Sequence, residues 1–412
     1  FSGRSGTTGS GNVGVGNETF EASNTGSNNV AVGLQALTAN TSGYENVAVG
    51  AGALVVNTTG FRNTAVGRQA LDANTTGNSN VAVGYNALSN HTQNNNIAIG
   101  YDAMKSSTTG GQNTVVGDAA MRDGSGYIHC VAVGAEALQD NNAHRNTAVG
   151  YHALKANTSA AQNTAVGHTV LDANTTGADN VGVGYAALTA STTGVGNVCI
   201  GNSAGQAITT GQNNVCLGRG AGLLITGGSE NLMLGRKAGE TSGPTNGSRN
   251  VLIGLDTRCA TNGQSNLVVA SGSSATSKGN STGFISPNGG PVYQGNNSST
   301  WSTTSDRRLK KNIVDNTTGL AAINDIRVRN FEYRLPEEVT ELDAECAIQK
   351  AGVQLGVIAQ ELEEVLPDCV RTESTGVKSV DSDNLTWYLV NAVKELSAEN
   401  VALKARLDAA GI

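Results

Sequence analysis

The chain has little charge, few aromatic rings and few residues that lock a backbone. Of its 412 residues only 14 % are Asp, Glu, Lys or Arg and 4 % are aromatic, with 5 prolines and 3 methionines. So little bulky apolar volume excludes a thick globular core over most of the length. No apolar run reaches the roughly 18 residues that cross a bilayer, so no membrane insertion is expected. Cys130, Cys199, Cys216, Cys259, Cys346 and Cys369 form no C-x-x-C pair and have no histidines at zinc spacing. They read as small buried thiols, with no metal and no cofactor. Residues 1–304 hold 14 acidic and 13 basic side chains, and residues 305–412 hold 19 and 13. With no basic stripe in either part, nucleic acid is not a partner.

Glycine, by contrast, is abundant: 54 residues, about twice the usual share. Much of it is periodic. Gly16, Gly33, Gly50, Gly67, Gly84, Gly100, Gly117, Gly134, Gly150, Gly167, Gly184, Gly201, Gly218, Gly235 and Gly254 are 17 apart in eleven of fourteen steps. Asn stands four residues before every one of them except Gly134, where Cys130 takes its place. The unit is N-[V/T]-A-V-G-x-x-A-L-x-x-N-T-T-G-x-x, as in Asn63–Gly67, Asn80–Gly84 and Asn163–Gly167.

Seventeen residues are too few for two packed helices, and short alternation bounded by Asn and Gly is a strand signal. Each unit therefore reads as one coil of a β-solenoid or β-roll, and fifteen coils stacked at about 4.8 Å predict a rod of about 70 Å. The recurring Asn is expected to form a side-chain amide ladder, and the recurring Gly to adopt positive φ or admit close wall-to-wall approach. Ala, Val and Leu bury little area per coil, which favours three chains around a shared axis. The Ala-Leu pair of each unit becomes Ala204-Gly205, Ala221-Gly222 and Ala238-Gly239, so the cross-section should change near residue 200.

Tyr85, Tyr101, Tyr151 and Tyr185 each follow a repeat glycine and should line one edge of the rod. His91, His129, His144, His152 and His168 read as unrelated repeat positions. The rod is assigned to residues 1–270 and a β-structured neck to 271–304, where Phe284, Ile285, Val292 and Tyr293 suggest a hairpin.

After Thr304 the composition turns to Leu, Glu, Lys and Arg. A small α+β domain is expected over 305–412, closed by a helix at about 384–409. There Leu389, Val393, Leu396, Asn400, Leu403 and Leu407 step by 4, 3, 4, 3 and 4, the spacing of a coiled coil with Asn400 setting register. A parallel trimeric bundle would match the rod's own symmetry.

Four ordered stretches carry a resemblance: Ser305–Ile313 (SDRRLKKNI), Arg327–Arg334 (RVRNFEYR), Leu355–Pro367 (LGVIAQELEEVLP) and the terminal helix. They resemble the self-cleaving intramolecular chaperone domain of phage endosialidases, tail fibres and tailspikes; the repeats are similar to those upstream of such domains. The resemblance implies a homotrimeric virion component, made in the host cytoplasm, that attaches to a host cell-surface receptor, a glycan or outer-membrane component. It implies Ser305 as nucleophile, Lys310 as base and cleavage at Ser305–Asp306, a single-turnover serine peptidase. Other virion tail proteins would bind through an N-terminal part preceding Phe1. A tailspike depolymerase acting on host polysaccharide is the alternative, though the acids of residues 1–304, Asp72, Asp118, Glu136 and Asp172 among them, are scattered singly and a glycosidase needs two in one pocket.

Overall fold

In a computed structural model the described residues are 8–239, 246–259, 262–270, 276, 283–286, 292–294, 301–303, 307–341, 350–373 and 376–411. The chain divides into two compact units, Phe1–Thr304 and Ser305–Ile412.

The first unit is a parallel β-solenoid with one short strand per coil. Sixteen strands, from β1 (Val13–Val15) to β16 (Leu267–Ala270), pair in parallel with each neighbour one repeat away, as Thr64 pairs with Val81 and Val66 with Val83. The sheet therefore runs one coil beyond the glycine count. The sixteenth strand has Ala270 where the others have glycine, but Asn266 keeps the repeat, its Nδ2 donating to Asn250 Oδ1 at 2.9 Å. The sheet continues without a break into β17 (Gly283–Ser286), parallel to β16, then antiparallel into β18 (Val292–Gln294) and β19 (Trp301–Thr303). Phe284 pairs with Tyr293 and Ile285 with Val292.

The core is thin. It holds the middle residue of each strand, usually Ala, with the Ala-Leu pair that follows the turn: Ala65, Ala70 and Leu71 are fully buried, and so are Ala148, Ala153 and Leu154. The turn is tight because the repeat glycines adopt φ of 124–146°, a region closed to L side chains. A Cβ on Gly33 would also meet the Gly50 carbonyl carbon and oxygen at 2.7 Å. Leu37, Leu54, Leu71 and their equivalents sit at φ of 50–54°, left-handed backbone that costs about 1–2 kcal/mol, offset by burying a leucine.

Two columns of asparagine run inside the coil. In the first, Asn63 Nδ2 donates to Asn46 Oδ1 at 3.2 Å and to the Gly77 carbonyl at 2.8 Å, while its Oδ1 accepts from the Asn80 backbone N–H at 3.0 Å. Asn163 occupies the same slot, its Nδ2 donating to the Gly177 carbonyl at 3.0 Å. The second column, read from the sequence only as a turn, comes from the N-T-T-G asparagines: Asn57 Nδ2 donates to Asn40 Oδ1 at 2.9 Å and Asn74 Nδ2 to Asn57 Oδ1 at 3.0 Å.

The change near residue 200 is an exchange of volume among three inner slots. The strand centre grows from Ala to Cys199, Cys216 and Met233, all buried, and the left-handed leucine becomes Gly205, Gly222 and Gly239. The second amide column gives way to buried Ile208 and Ile225. A Cβ on Gly205 would fall 2.5 Å from Cys199 Sγ and 2.9 Å from Ile208 Cδ1. Where the column stops, Asn174 Oδ1 and Ser191 Oγ are left without partners.

The second unit is small. Leu362, Leu366, Cys369 and Tyr388 form its centre, with Ile323, Ile326, Val357 and Val370 against them. They come from α1 (Leu320–Asp325), α2 (Ala359–Val365), a hairpin of Val370–Thr372 with Lys378–Val380, and α3 (Ser382–Ala410). Arg329–Phe331 pairs antiparallel with Gln354–Gly356.

Candidate functional site

Of the predicted cleavage residues, Ser305 and Asp306 lie outside the described residues. Arg307–Leu309 forms a single 3₁₀ turn, closed by the Lys310 N–H donating to the Arg307 carbonyl at 3.2 Å. Four cations crowd into Arg307–Lys311, and all four side chains are exposed. Lysine becomes a base only when burial or neighbouring charge strips its proton.

Downstream the segment is tied to α3. Asn391 Nδ2 donates to the carbonyls of Asn316 at 2.9 Å and Thr318 at 3.1 Å. Glu395 Oε2 accepts the Leu320 N–H at 2.6 Å, capping α1, whose own N-cap residue Gly319 supplies no side chain. A Cβ on Gly319 would press on the Glu395 carboxylate and push that flexible side chain aside.

Beside these contacts, in a cleft lined by Asn316, Asp368, Tyr388 and Asn391, Tyr388 donates its hydroxyl to Asp368 Oδ2 at 2.5 Å. That bond to a carboxylate holds the phenol proton and pushes its pKa up. Arg329 grips Glu361 with two bonds, 3.0 and 2.8 Å, which lowers the carboxyl pKa.

The longest helix is the most unusual surface of this unit. α3 has 29 residues, begins at an Asp381 cap accepting from the Asp383 and Asn384 N–H groups, and ends at left-handed Gly411. Only Tyr388 and Ala392 are buried along it. Val393 is 66 % exposed, and Leu389, Leu396, Leu403 and Leu407 are 40–49 % exposed. Asn400, in line with them, donates Nδ2 to its own helix at the Leu396 carbonyl, 2.9 Å.

Residues 305–371 match a family model described as chaperone of endosialidase. The matched stretch holds the Arg307–Lys311 turn, α1, α2 and the Arg329–Glu361 pair, and stops short of α3. No curated protein and no solved structure matches the chain. A parallel β-solenoid rod joined to a chaperone segment of this kind fits a tail fibre or tailspike.

The rod's outer edges carry stacked rings. Tyr85 stacks on Tyr101 with centroids 5.3 Å apart, and Tyr151, His168 and Tyr185 form a continuous stack at 5.0 and 5.3 Å. His168 thus belongs to the tyrosine slot, directly after Gly167, and is not an unrelated position. His152 lies against Tyr151 at 3.7 Å and pairs with Glu136, Nε2 to Oε2 3.0 Å. Inner rings of a stack have both faces covered, whereas Arg68 lies over the outer face of Tyr85, and Tyr101 and Tyr185 stay more than half exposed.

Several acidic residues of this region are held in ion pairs, though Asp72 Oδ1 is buried without a hydrogen-bond partner. Glu136 also binds Lys155 at 2.6 Å, Asp102 binds Lys105 at 3.2 Å and Asp123 binds Arg122 at 2.8 Å. Among the described residues no three His, Cys, Asp or Glu side chains converge as a metal site, and no helix is long and apolar enough to cross a membrane.

Proposed function

We propose that the chain is a homotrimeric phage tail fibre or tailspike whose C-terminal unit assembles three rods and is then released by self-cleavage beside Ser305. The observation that carries this reading is a chaperone-of-endosialidase segment placed directly after a repetitive rod. The exposed stripe Leu389–Leu407 on α3 supports trimerisation, because a stripe at coiled-coil spacing buries itself only against other helices.

Chemically, the Ser305–Asp306 peptide bond is the one broken: Lys310 Nζ takes the Ser305 Oγ proton and passes it to the departing Asp306 amine. Because Oγ on its own carbonyl would close a strained four-membered ring, it attacks the Ser305 carbonyl of a neighbouring copy, and water then hydrolyses that ester to a free carboxylate and hydroxyl. Lys310 is exposed in one chain, and packing of the three copies covers it. Cleavage thus follows assembly. The released rod serves as the attachment element, in the virion, for a host-surface receptor, with other tail proteins joined at its N-terminal end.

The test introduces Leu396→Asp with Leu403→Asp into the full chain. Three carboxylates facing one another at each level break the bundle, so the reading expects aggregated or monomeric chains that stay uncleaved. Trimers cleaved as in the parent would refute it.

A further inference from the structure

The solenoid sheet has an inner and an outer face, and the outer face has the wrong composition for water. Strand residues alternate, so the first and third of each strand point away from the core. From Val13 to Val269 these outward positions are Val, Ile or Leu in every coil, except for Thr64, Thr114, Thr147 and Thr164. None is charged. The charged residues stand on other walls, as do Glu45, Arg62, Arg68, Asp102, Lys105, Glu136 and Lys155.

Stacking neither buries these side chains nor needs them apolar. Ile97 and Ile99, with coils above and below them, are each 38 % exposed, and Leu217 is 42 % exposed. Contiguous apolar strips of this length on soluble proteins mark contact surfaces.

We infer that this outer sheet face is where the three rods meet, in parallel and in register, so that each strand of one copy packs against the same-numbered strands of the other two. Commensurability identifies the occupant. A partner must present apolar groups at the strand spacing of the stack over sixteen strands, about 75 Å. A second copy of this chain has that period at every level. A strip about 75 Å by about 10 Å covers about 750 Å² on each chain, shared between its two neighbours, so three chains together bury about 2,200 Å², within the size range of stable interfaces. The inference rests on the trimer reading above but names a surface outside the chaperone segment and α3.

The test is site-specific cross-linking of the full chain with a short bismaleimide. Val149→Cys lies on the outer sheet face; Thr176→Cys lies on the exposed turn wall. The parent chain with its own cysteines is the control, circular dichroism checks folding, and mass photometry reports the oligomer. The inference expects trimers in which Val149→Cys becomes largely cross-linked to dimers and Thr176→Cys does not rise above the parent. Trimers lacking the Val149→Cys cross-link, or with equal cross-linking at both sites, overturn the face and leave the trimer. Monomers overturn both.

Discussion

His91 stands where the second amide column needs an asparagine, and replacing it should change stability in a pH-dependent way. Its side chain is fully buried. Asn96 Nδ2, which can only donate, lies 2.7 Å from Nε2, so Nε2 accepts and the proton sits on Nδ1, facing the Ser107 carbonyl at 3.3 Å. Burial lowers the pKa from 6.5 to about 4. The folded chain therefore resists protonation that the unfolded chain accepts. The stability this His allows is fully present above pH 6.5, falls as pH drops below it, and levels off below about 4. By linkage the loss is about 2 kcal/mol at pH 5 and about 3 kcal/mol at pH 4.

His91 has a second cost. Asn74 Oδ1 is buried without a partner, because the next residue up the column is not an amide that can donate to it. His91→Asn supplies that donor and should add about 1–3 kcal/mol at pH 7, with a larger gain at pH 5. Denaturant unfolding from pH 8 to 4, His91→Asn beside the parent, measures both effects. A parent and variant with parallel pH profiles would refute the buried neutral histidine; a variant less stable at pH 7 would refute the column argument.

Three further outcomes follow from the geometry. Gly84→Ala should destabilise the rod by about 3 kcal/mol or more, as φ is 135° and its Cβ would press on the Gly100 carbonyl, whereas Gly52→Ala, at φ 70° with its nearest neighbour at 3.6 Å, should cost about 1–2 kcal/mol; thermal melts compare them. Gly205→Ala should destabilise through Cys199 and Ile208, and adding Cys199→Ala should recover part of the loss, a coupling readable in a double-mutant cycle. Tyr388→Phe should cost about 1.5–3 kcal/mol, the value of a hydrogen bond to a charged group, measured by denaturant unfolding of the full chain.

Most of the rod was legible because its rule is local and repeated: an Asn, three small or branched residues and a Gly define a strand and the turn that ends it. The second asparagine column was hidden because N-T-T-G satisfies every turn criterion, and only the closed coil shows Asn57 and Asn74 pointing inward. Alignment on glycine missed the strand ending in Ala270 for the same reason: one slot stood in for the whole unit. The volume exchange among Cys199, Gly205 and Ile208 was visible only as a change of residue type, since the three slots meet in space and not in sequence. The proposed cleavage site came from resemblance to a family and not from spacing, because five residues from serine to lysine say nothing about proximity.

The most direct test of the central reading is denaturing electrophoresis of the purified chain beside Ser305→Ala and Lys310→Met, with native mass measurement of each. The reading expects the parent in two pieces, about three quarters and one quarter of the chain, with the larger one trimeric, and both variants intact but still trimeric. A parent that assembles and stays whole, or variants cut like the parent, would contradict it.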